Sequence, residues 1–413
     1  MRTDILVAPA TFQATYTSYL LHRIRRGRNC ESSPSSLCFR RVADGSCACD
    51  SYASSSEIQA YFKHVAQHFG LDQYIRYNTE IVSAEWSDTS STWKIGIAGR
   101  PSIESEILVN ASGILNNPNL PDIEGYDSFK GPRLHTAAWD NSVNLRGKRV
   151  AMIGAGASAI QVLPKIEPIA SHVDVYIRTP SWITPPVAAP EPDMTNHKYS
   201  AEEQERFRWN EKAYLETRKN MEAHFNGAFQ MFRKGSDKQR ELRRQLEERM
   251  KALIPDPDMQ EKLIPKFEVG CRRVNPGEPY LAALQKSTVR PIFDPIERIT
   301  PDGVMVDGEL HPVDVIIAAT GFNTSFRPRF PIIGRSGVNL QDQWAKTPIS
   351  YMGTGVSGYP NYLIFLGPNT PIANGSVMGT LHPVCSSFSQ TLADPGQGPW
   401  MRRATTLFAY CAR

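Results

Sequence analysis

The sequence predicts an α/β protein built from doubly wound, Rossmann-like domains. A buried strand at 148–153 leads into a glycine turn, an apolar helix over 157–167 and a second strand at 173–177. This is the order of a parallel βαβ unit. Further strand-like stretches precede the unit, and a long charged helical block follows it. Together these observations predict a dinucleotide-binding fold that carries a helical insertion.

The composition limits the class of protein. The chain has 413 residues, of which 41% are hydrophobic and 21% charged, enough for two or three ordinary domains. The formal net charge is +4, which gives no reason to expect a nucleic-acid partner. No apolar run approaches the roughly 18–20 residues that span a bilayer, so we expect no integral membrane segment.

Residues 1–45 show no convincing periodic pattern, and we treat them as an unassigned or disordered leader. They combine an arginine cluster with a serine-rich patch and few acids, as a transit peptide can. Their apolar residues form no clear amphipathic helix, so this alternative is not favoured.

The seven cysteines are scattered without a CxxC pair, which fits a reducing compartment. We therefore expect a cytoplasmic protein without a metal site.

The region before the βαβ unit has the patterns of a folded domain. A helix is expected over 57–69, where apolar residues recur at helical spacing and Gly70 follows as a C-cap. Strands are expected at 79–87, 92–98 and 106–110, because these stretches alternate or are rich in β-branched residues. Globular structure is therefore expected from about the start of this helix.

Residues 199–253 form the charged, helix-prone block, which a turn signal interrupts at 234–237. Acidic and basic residues recur in it at i,i+4 spacing, which is typical of a solvated helical face. A coiled coil is not favoured, because no heptad pattern persists for three or four repeats. Pro255 and Pro257 are expected to end the block.

The turn after the first strand of the βαβ unit reads GAGASA over 154–159. In this context a GxGxxA string predicts a dinucleotide site. Gly154 permits the tight turn, Gly156 lets the backbone approach a pyrophosphate, and Ala159 allows close helix packing. The free N–H groups at the helix start, where Ser158 lies, receive the phosphate charge. The alternative is a glycine turn that serves packing alone.

The end of the second strand indicates which dinucleotide binds. An acidic residue there would hold the ribose 2′-hydroxyl of NAD, whereas a cation accommodates the 2′-phosphate of NADP. The sequence has Arg178 and Thr179 at this place, and no acidic residue until well beyond. Arg178 could be a plain surface arginine, but its position favours NADP.

A second pattern lies directly upstream, where residues 129–140 read FKGPRLHTAAWD. This matches FxGxxxHxxxW followed by Pro or Asp, and resembles the fingerprint of the Baeyer–Villiger branch of class B flavoprotein monooxygenases. The Trp139-Asp140 pair favours this branch over the related flavin monooxygenases and N-hydroxylases. The resemblance extends over about 46–380, and the general look is of fungal members that modify polyketides in secondary metabolism.

The resemblance implies an FAD-binding and an NADP-binding domain. Gly113 closes a turn that looks like the first crossover between them, and Thr320 and Gly321 look like the second. The boundaries that we expect are 46–140 and 321–383 for a partial FAD-binding domain, 146–198 and 266–320 for the NADP-binding domain, 199–265 for the helical insertion, and 384–413 for an irregular tail.

The resemblance also implies catalytic residues. Residues 270–273 read GCRR and resemble a GxKR segment whose last arginine, here Arg273, lies against the flavin. Arg272 then resembles the cation that meets the 2′-phosphate, and Asp50 resembles an aspartate that contacts the flavin-side arginine. A fixed guanidinium can stabilise negative charge that develops during oxygen insertion, and a carboxylate beside it would hold it in place. The alternative is a surface basic pair and a loop acid.

The fingerprint histidine is His135. In the family this residue lies on the hinge between the two nucleotide domains. We therefore expect it to serve domain coupling and cofactor positioning, and not proton transfer.

The GxGxxG turn with which family members bind FAD does not occur in residues 1–45, so the first βαβ unit of the FAD domain is expected to be truncated. The favoured function is an FAD- and NADPH-dependent monooxygenase that inserts one oxygen atom from O2 into a ketone, giving an ester or lactone. One alternative is a flavin-dependent N- or S-hydroxylating monooxygenase. Another is a non-catalytic NADP-binding remnant. Substrate identity and oligomeric state stay open.

Overall fold

The computed structural model describes residues 55–68, 70–185, 199–272 and 274–370. The expected leader and the expected tail over 384–413 lie outside these residues. The helices are α1 (Ser55–His68), α2 (Ala157–Ile166), α3 (Ala201–Trp209), α4 (Glu211–Gly227), α5 (Asp237–Leu253), α6 (Pro257–Leu263), α7 (Glu278–Leu284) and α8 (Leu340–Gln343). The strands are β1 (Ile81–Ser87), β2 (Thr92–Ile97), β3 (Arg100–Ser105), β4 (Leu108–Asn110), β5 (Arg133–His135), β6 (Arg149–Ile153), β7 (His172–Tyr176), β8 (Ile183–Thr184), β9 (Asn275–Pro276), β10 (Val289–Ile292), β11 (Arg298–Thr300), β12 (Gly303–Val306), β13 (Glu309–Pro312), β14 (Val315–Ala318), β15 (Ile332–Ile333) and β16 (Tyr362–Ile364).

The chain divides into two compact units. Unit 1 comprises 1–116, 198–223 and 323–413, and unit 2 comprises 117–197 and 224–322. The stretch 199–265, which was expected to form one insertion, is thus divided between the two units. Residues 117–140, expected in the FAD-binding domain, lie in unit 2.

Unit 1 contains a four-stranded sheet in the order β15-β1-β2-β3. The strands β1, β2 and β3 are antiparallel neighbours, and β15 adds to β1 in parallel. Buried aromatic side chains, among them Trp93, Trp344 and Tyr362, fill its core. A separate parallel pair joins β16 to β4. The hairpin strand β3 was not expected from the sequence; it follows a reversal at Gly99, which has a φ of +65°.

Unit 2 is built on a parallel five-stranded sheet in the order β10-β7-β6-β14-β5. Alternate residues of β6 face opposite sides. Val150 and Met152 pack into a core shared with α2, α5 and α7. Ala151 and Ile153 pack against the small antiparallel sheet β11-β12-β13. The predicted βαβ unit is therefore confirmed as β6-α2-β7, and the α/β fold class with it.

The order of the strands places a reversal beside β6. From β6 the chain passes through α2 to β7 and later to β10 on the same side, whereas β14 lies on the other side of β6. In open parallel sheets, ligands bind outside the carboxyl ends of the strands at such a switch point. This position is where the glycine turn of residues 154–159 begins.

The helical block follows the expected pattern. Ser236 caps α5 by accepting a hydrogen bond from the Gln239 backbone N–H, next to the predicted break. α5 ends at Leu253, so the block ends just before Pro255 and Pro257, as expected, and Pro257 begins the separate helix α6. The fixed φ of proline suits the first position of a helix, where its missing N–H costs nothing.

Candidate nucleotide-binding site

The glycine turn is held between the ends of β7 and β14. Gly154 has a φ of +121°, and its N–H donates to the Tyr176 carbonyl (3.0 Å). A Cβ placed on Gly154 would lie 2.5 Å from the Ala319 carbonyl oxygen. The Ala319 N–H in turn donates to the Ile153 carbonyl (2.8 Å). Only glycine fits this position, as the sequence predicts.

Gly156 lies at the start of α2 with open space beside its Cα. It is exposed, and a Cβ placed on it would meet nothing within 4 Å. As the capping residue it has no side chain to occupy the free N–H groups of the first turn, which consists of small uncharged residues. Ala159 and Ser158 are buried against the sheet. The end of the helix therefore offers an open, partly positive site that suits an anion.

Arg178 follows directly after the second strand. The Ile177 N–H donates to the Ile292 carbonyl (2.8 Å), which continues the sheet, and Arg178 is then exposed while Thr179 is half-buried. The Ser181 hydroxyl donates to the Ala155 carbonyl (2.9 Å) and fastens this loop to the glycine turn. Ser181 was not expected at the site, because a serine in a proline-containing loop has no distinctive sequence pattern.

Arg272 lies in the segment between α6 and β9. It is exposed, and its guanidinium carbon lies 5.4 Å from the centre of the Phe267 ring. The buried Trp182 joins this segment to the loop after β7, since its indole N–H donates to the Phe267 carbonyl (3.0 Å). Arg273 and Asp50 lie outside the described residues, so their roles stay predictions.

His135 ends β5 and is only 5% exposed. Its Nδ1 accepts a hydrogen bond from the Ala137 N–H (3.1 Å), and the Phe322 ring packs edge-on against it at 6.3 Å. Burial lowers the pKa of His135, although the neighbouring backbone of Gly321 and Asn119 partly opposes this. A neutral, packed imidazole fits a structural role better than proton transfer.

The two crossover segments have defined local geometry. In unit 2 the Thr320 hydroxyl donates to the Asn119 carbonyl, and the Asn119 N–H donates to the Gly321 carbonyl (2.9 Å). In unit 1 Gly113 has a φ of +74°, and the Asn116 amide donates to its carbonyl (3.0 Å). Gly321 has a φ of +77°, so both glycines have a backbone conformation that favours glycine.

In the part of the chain that the structure describes, no helix is long and apolar enough to cross a membrane. No group of three or more His, Cys, Asp or Glu side chains there could hold a metal ion.

A parallel sheet with a glycine turn at its switch point and an open helix N-terminus defines a dinucleotide-binding domain. Comparisons with known proteins agree with this class. Residues 45–191 match the family described as flavin-binding monooxygenase-like. The chain is 40% identical over 336 residues to the FAD-binding monooxygenase tazF of Aspergillus terreus, covering 79% of this chain and 59% of that protein.

Two further matches extend the comparison. A Baeyer–Villiger monooxygenase of Pseudomonas aeruginosa is 32% identical, with 79% of this chain and 61% of that protein covered. The structure of OTEMO in complex with FAD and NADP superimposes with a TM-score of 0.73 at 24% identity, covering 91% of this chain and 75% of that one. The chain thus spans somewhat over half the length of these curated relatives. Together the matches confirm the resemblance to class B flavoprotein monooxygenases and the Rossmann-type fold.

Proposed function

We propose that this protein is an FAD- and NADPH-dependent monooxygenase that inserts one oxygen atom from O2 into a ketone, giving an ester or lactone. The observation that carries the proposal is the open N-terminus of α2 at Gly156, with Arg178 at the end of the next strand. The relatives named as FAD-binding and Baeyer–Villiger monooxygenases support the flavin and the reaction. A place in fungal secondary metabolism is part of the proposal, and the relative from Aspergillus terreus supports the fungal character.

The residues present fit the nucleotide. Backbone N–H groups over 156–158 would hold the pyrophosphate, because the open space at Gly156 permits its close approach. Arg178, with Thr179 beside it, would meet the 2′-phosphate, and Arg272 would supply a second cation. NADPH held in this way would supply reducing equivalents, and FAD would supply the chemistry with O2.

The other candidate residues would connect the two domains or act at the flavin. Gly113, Thr320 and Gly321 would let the chain pass between an FAD-binding domain and an NADP-binding domain. Arg273 would stabilise negative charge during oxygen insertion, and Asp50 would position its guanidinium. His135 would keep the crossover at Phe322 in place, since its imidazole packs against that ring.

The flavin content of the purified chain tests the proposal as a whole. We expect a yellow protein, or one that FAD reconstitutes, whose flavin absorbance is bleached by NADPH. Ketones should then yield esters or lactones. Colourless protein that cannot be reconstituted would favour a non-catalytic NADP-binding protein. Product analysis with only N- or S-oxides would favour the hydroxylating class.

The cofactor preference is tested at Arg178. Arg178→Gln should weaken NADPH binding by about ten- to a hundredfold and leave NADH binding unchanged, because a charge-assisted phosphate contact is worth about 1.5–3 kcal/mol. Arg146→Gln, which removes another exposed arginine of unit 2, is the matched control. Fluorescence titration of both variants measures the effect. An equal loss for both nucleotides would contradict a 2′-phosphate contact.

A further inference from the structure

The Phe267 ring supports the Arg272 guanidinium. The separation of 5.4 Å between the guanidinium carbon and the ring centre lies within the range of about 6 Å in which a cation is attracted to an aromatic face. A long arginine side chain otherwise has many rotamers, so a ring beneath it restricts where its charge can lie. Arg272 is exposed, and its charge therefore stays available to a ligand.

No acidic side chain neutralises this arginine among the residues that the structure describes. The nearest acid in its own segment is Glu268, which instead pairs with Arg243 at 2.6 Å. The charge of Glu268 is thus compensated by α5, which carries Arg243. Arg272 keeps its full positive charge for an anionic partner.

Phe267 is itself fixed to the segment that carries the other candidate cation. Its carbonyl accepts the indole N–H of Trp182 (3.0 Å), and its side chain packs against the core that includes the buried face of α2. Trp182 is 1% exposed and follows Arg178 by four residues. A backbone hydrogen bond from the Asn275 N–H to the Trp182 carbonyl (3.1 Å) joins the chain after Arg272 to the same residue. Trp182 therefore contacts the segment both before and after Arg272.

We propose that Phe267 is a positioning residue for Arg272, holding its guanidinium as a second cation for the 2′-phosphate of NADP alongside Arg178. This inference rests on the NADP binding proposed above. Phe267 contributes through its aromatic face and does not contact the nucleotide. Trp182 sets the position of Phe267 relative to the loop after β7, so the two cations are placed by one connected set of contacts.

Calorimetric titration of the full chain with NADP+ and NAD+ tests the inference, because the two ligands differ only by the 2′-phosphate. Phe267→Leu and Phe267→Met keep apolar packing and remove the ring. We expect both variants to bind NADP+ about two- to fivefold more weakly, the worth of an exposed cation–π contact, with NAD+ binding unchanged. Phe267→Tyr, which keeps the ring, should behave as the parent protein.

A double-mutant cycle separates positioning from general structure. In the Arg272→Gln background, Phe267→Leu should cause no further loss of NADP+ affinity. An equal loss for NADP+ and NAD+, an unchanged NADP+ affinity, or additive losses in the double variant would each overturn the role of Phe267. A parent protein without any preference for NADP+ would instead overturn the proposed NADP binding, and the inference with it.

Discussion

Gly154 and Gly156 lie two residues apart in one turn, but they differ in backbone conformation and in the space around them. At Gly154 the backbone has a φ of +121° and a Cβ would collide with the Ala319 carbonyl. At Gly156 the φ of −86° suits any residue, and a Cβ would meet only open space. The first glycine is therefore required by the fold, whereas the second would be required by the nucleotide that we propose binds at this turn.

Alanine substitutions should separate these two requirements. Gly154→Ala should destabilise the protein by about 2 kcal/mol or more, through strain and backbone displacement. Gly156→Ala should change the free energy of unfolding by less than about 0.5 kcal/mol and weaken NADP+ binding at least tenfold, because the methyl group occupies the path of the pyrophosphate. Urea denaturation and calorimetry measure the two effects. Unchanged NADP+ affinity in Gly156→Ala would mean that the phosphate does not approach there.

His135 should make stability depend on pH. Burial lowers its pKa in the folded state, so below the ordinary histidine value of about 6.5 the unfolded chain binds a proton that the folded protein refuses. The free energy of unfolding should therefore fall as the pH decreases from 7 towards 5. His135→Asn, which offers an acceptor to the Ala137 N–H without titrating, should reduce this slope.

Chemical denaturation at several pH values measures the His135 effect. His64→Asn, which removes a histidine of α1, is the control for the loss of a histidine elsewhere. The slope of the free energy of unfolding against pH is the quantity to compare. The substitution also changes packing against Phe322, but by an amount that does not depend on pH. Equal slopes for the parent protein and His135→Asn would show that His135 is protonated as readily in the folded protein as in the unfolded chain.

Among the elements, β6 and β14 are joined at their beginnings by Asp314. Its carboxylate accepts the Arg149 backbone N–H (2.8 Å) and pairs with the Arg149 guanidinium (2.8 Å). These contacts lower the pKa of Asp314, so its stabilising effect is present above about pH 4 and is lost as the pH falls through the lowered value. The two strands that flank the switch point are thereby held in register at the end remote from the glycine turn.

The loss of free energy of unfolding caused by substitutions at Asp314 should depend on which contacts with Arg149 the new side chain keeps. Asp314→Asn keeps an acceptor for the N–H and loses only a half-exposed ion pair, so it should cost less than about 1 kcal/mol. Asp314→Ala loses both and should cost about 1 kcal/mol more. Thermal and urea denaturation at pH 7 measure the costs, with Asp302→Asn from an exposed pair as the control. A cost of Asp314→Ala no greater than that of Asp302→Asn would contradict the joining role.

Elements with a local sequence pattern were predicted well, whereas features that depend on distant contacts were not. The bounds of β6, α2 and β7 agree with expectation within one residue, because the turn, helix and strands are encoded locally. β5 has three residues, too short for a pattern, and its place beside β14 depends on a partner far along the chain. Ser181 and Phe267 escaped notice for the same reason, since each acts through a contact made only in the folded protein.

At the scale of the whole molecule, each hydrophobic core formed by the described residues lies within one unit. The core around Trp93 and Trp344 lies entirely in unit 1, and both cores that enclose the parallel sheet lie entirely in unit 2. The glycine turn, Arg178 and Arg272 also belong to unit 2. A nucleotide that binds there should therefore stabilise unit 2 first, by about 2.7 kcal/mol at a concentration a hundred times its Kd.

Hydrogen exchange with and without NADP+ tests this division. We expect slower exchange in β6, β7 and β14, whose ends would form the proposed nucleotide site, and unchanged exchange in β1 and β2. NAD+ at the same concentration should protect the same strands less, because it lacks the phosphate that Arg178 and Arg272 would bind. Protection of β1 and β2 equal to that of β6 would show that the two units unfold as one. Equal protection by NAD+ and NADP+ would instead remove the argument for a 2′-phosphate site at the end of β7.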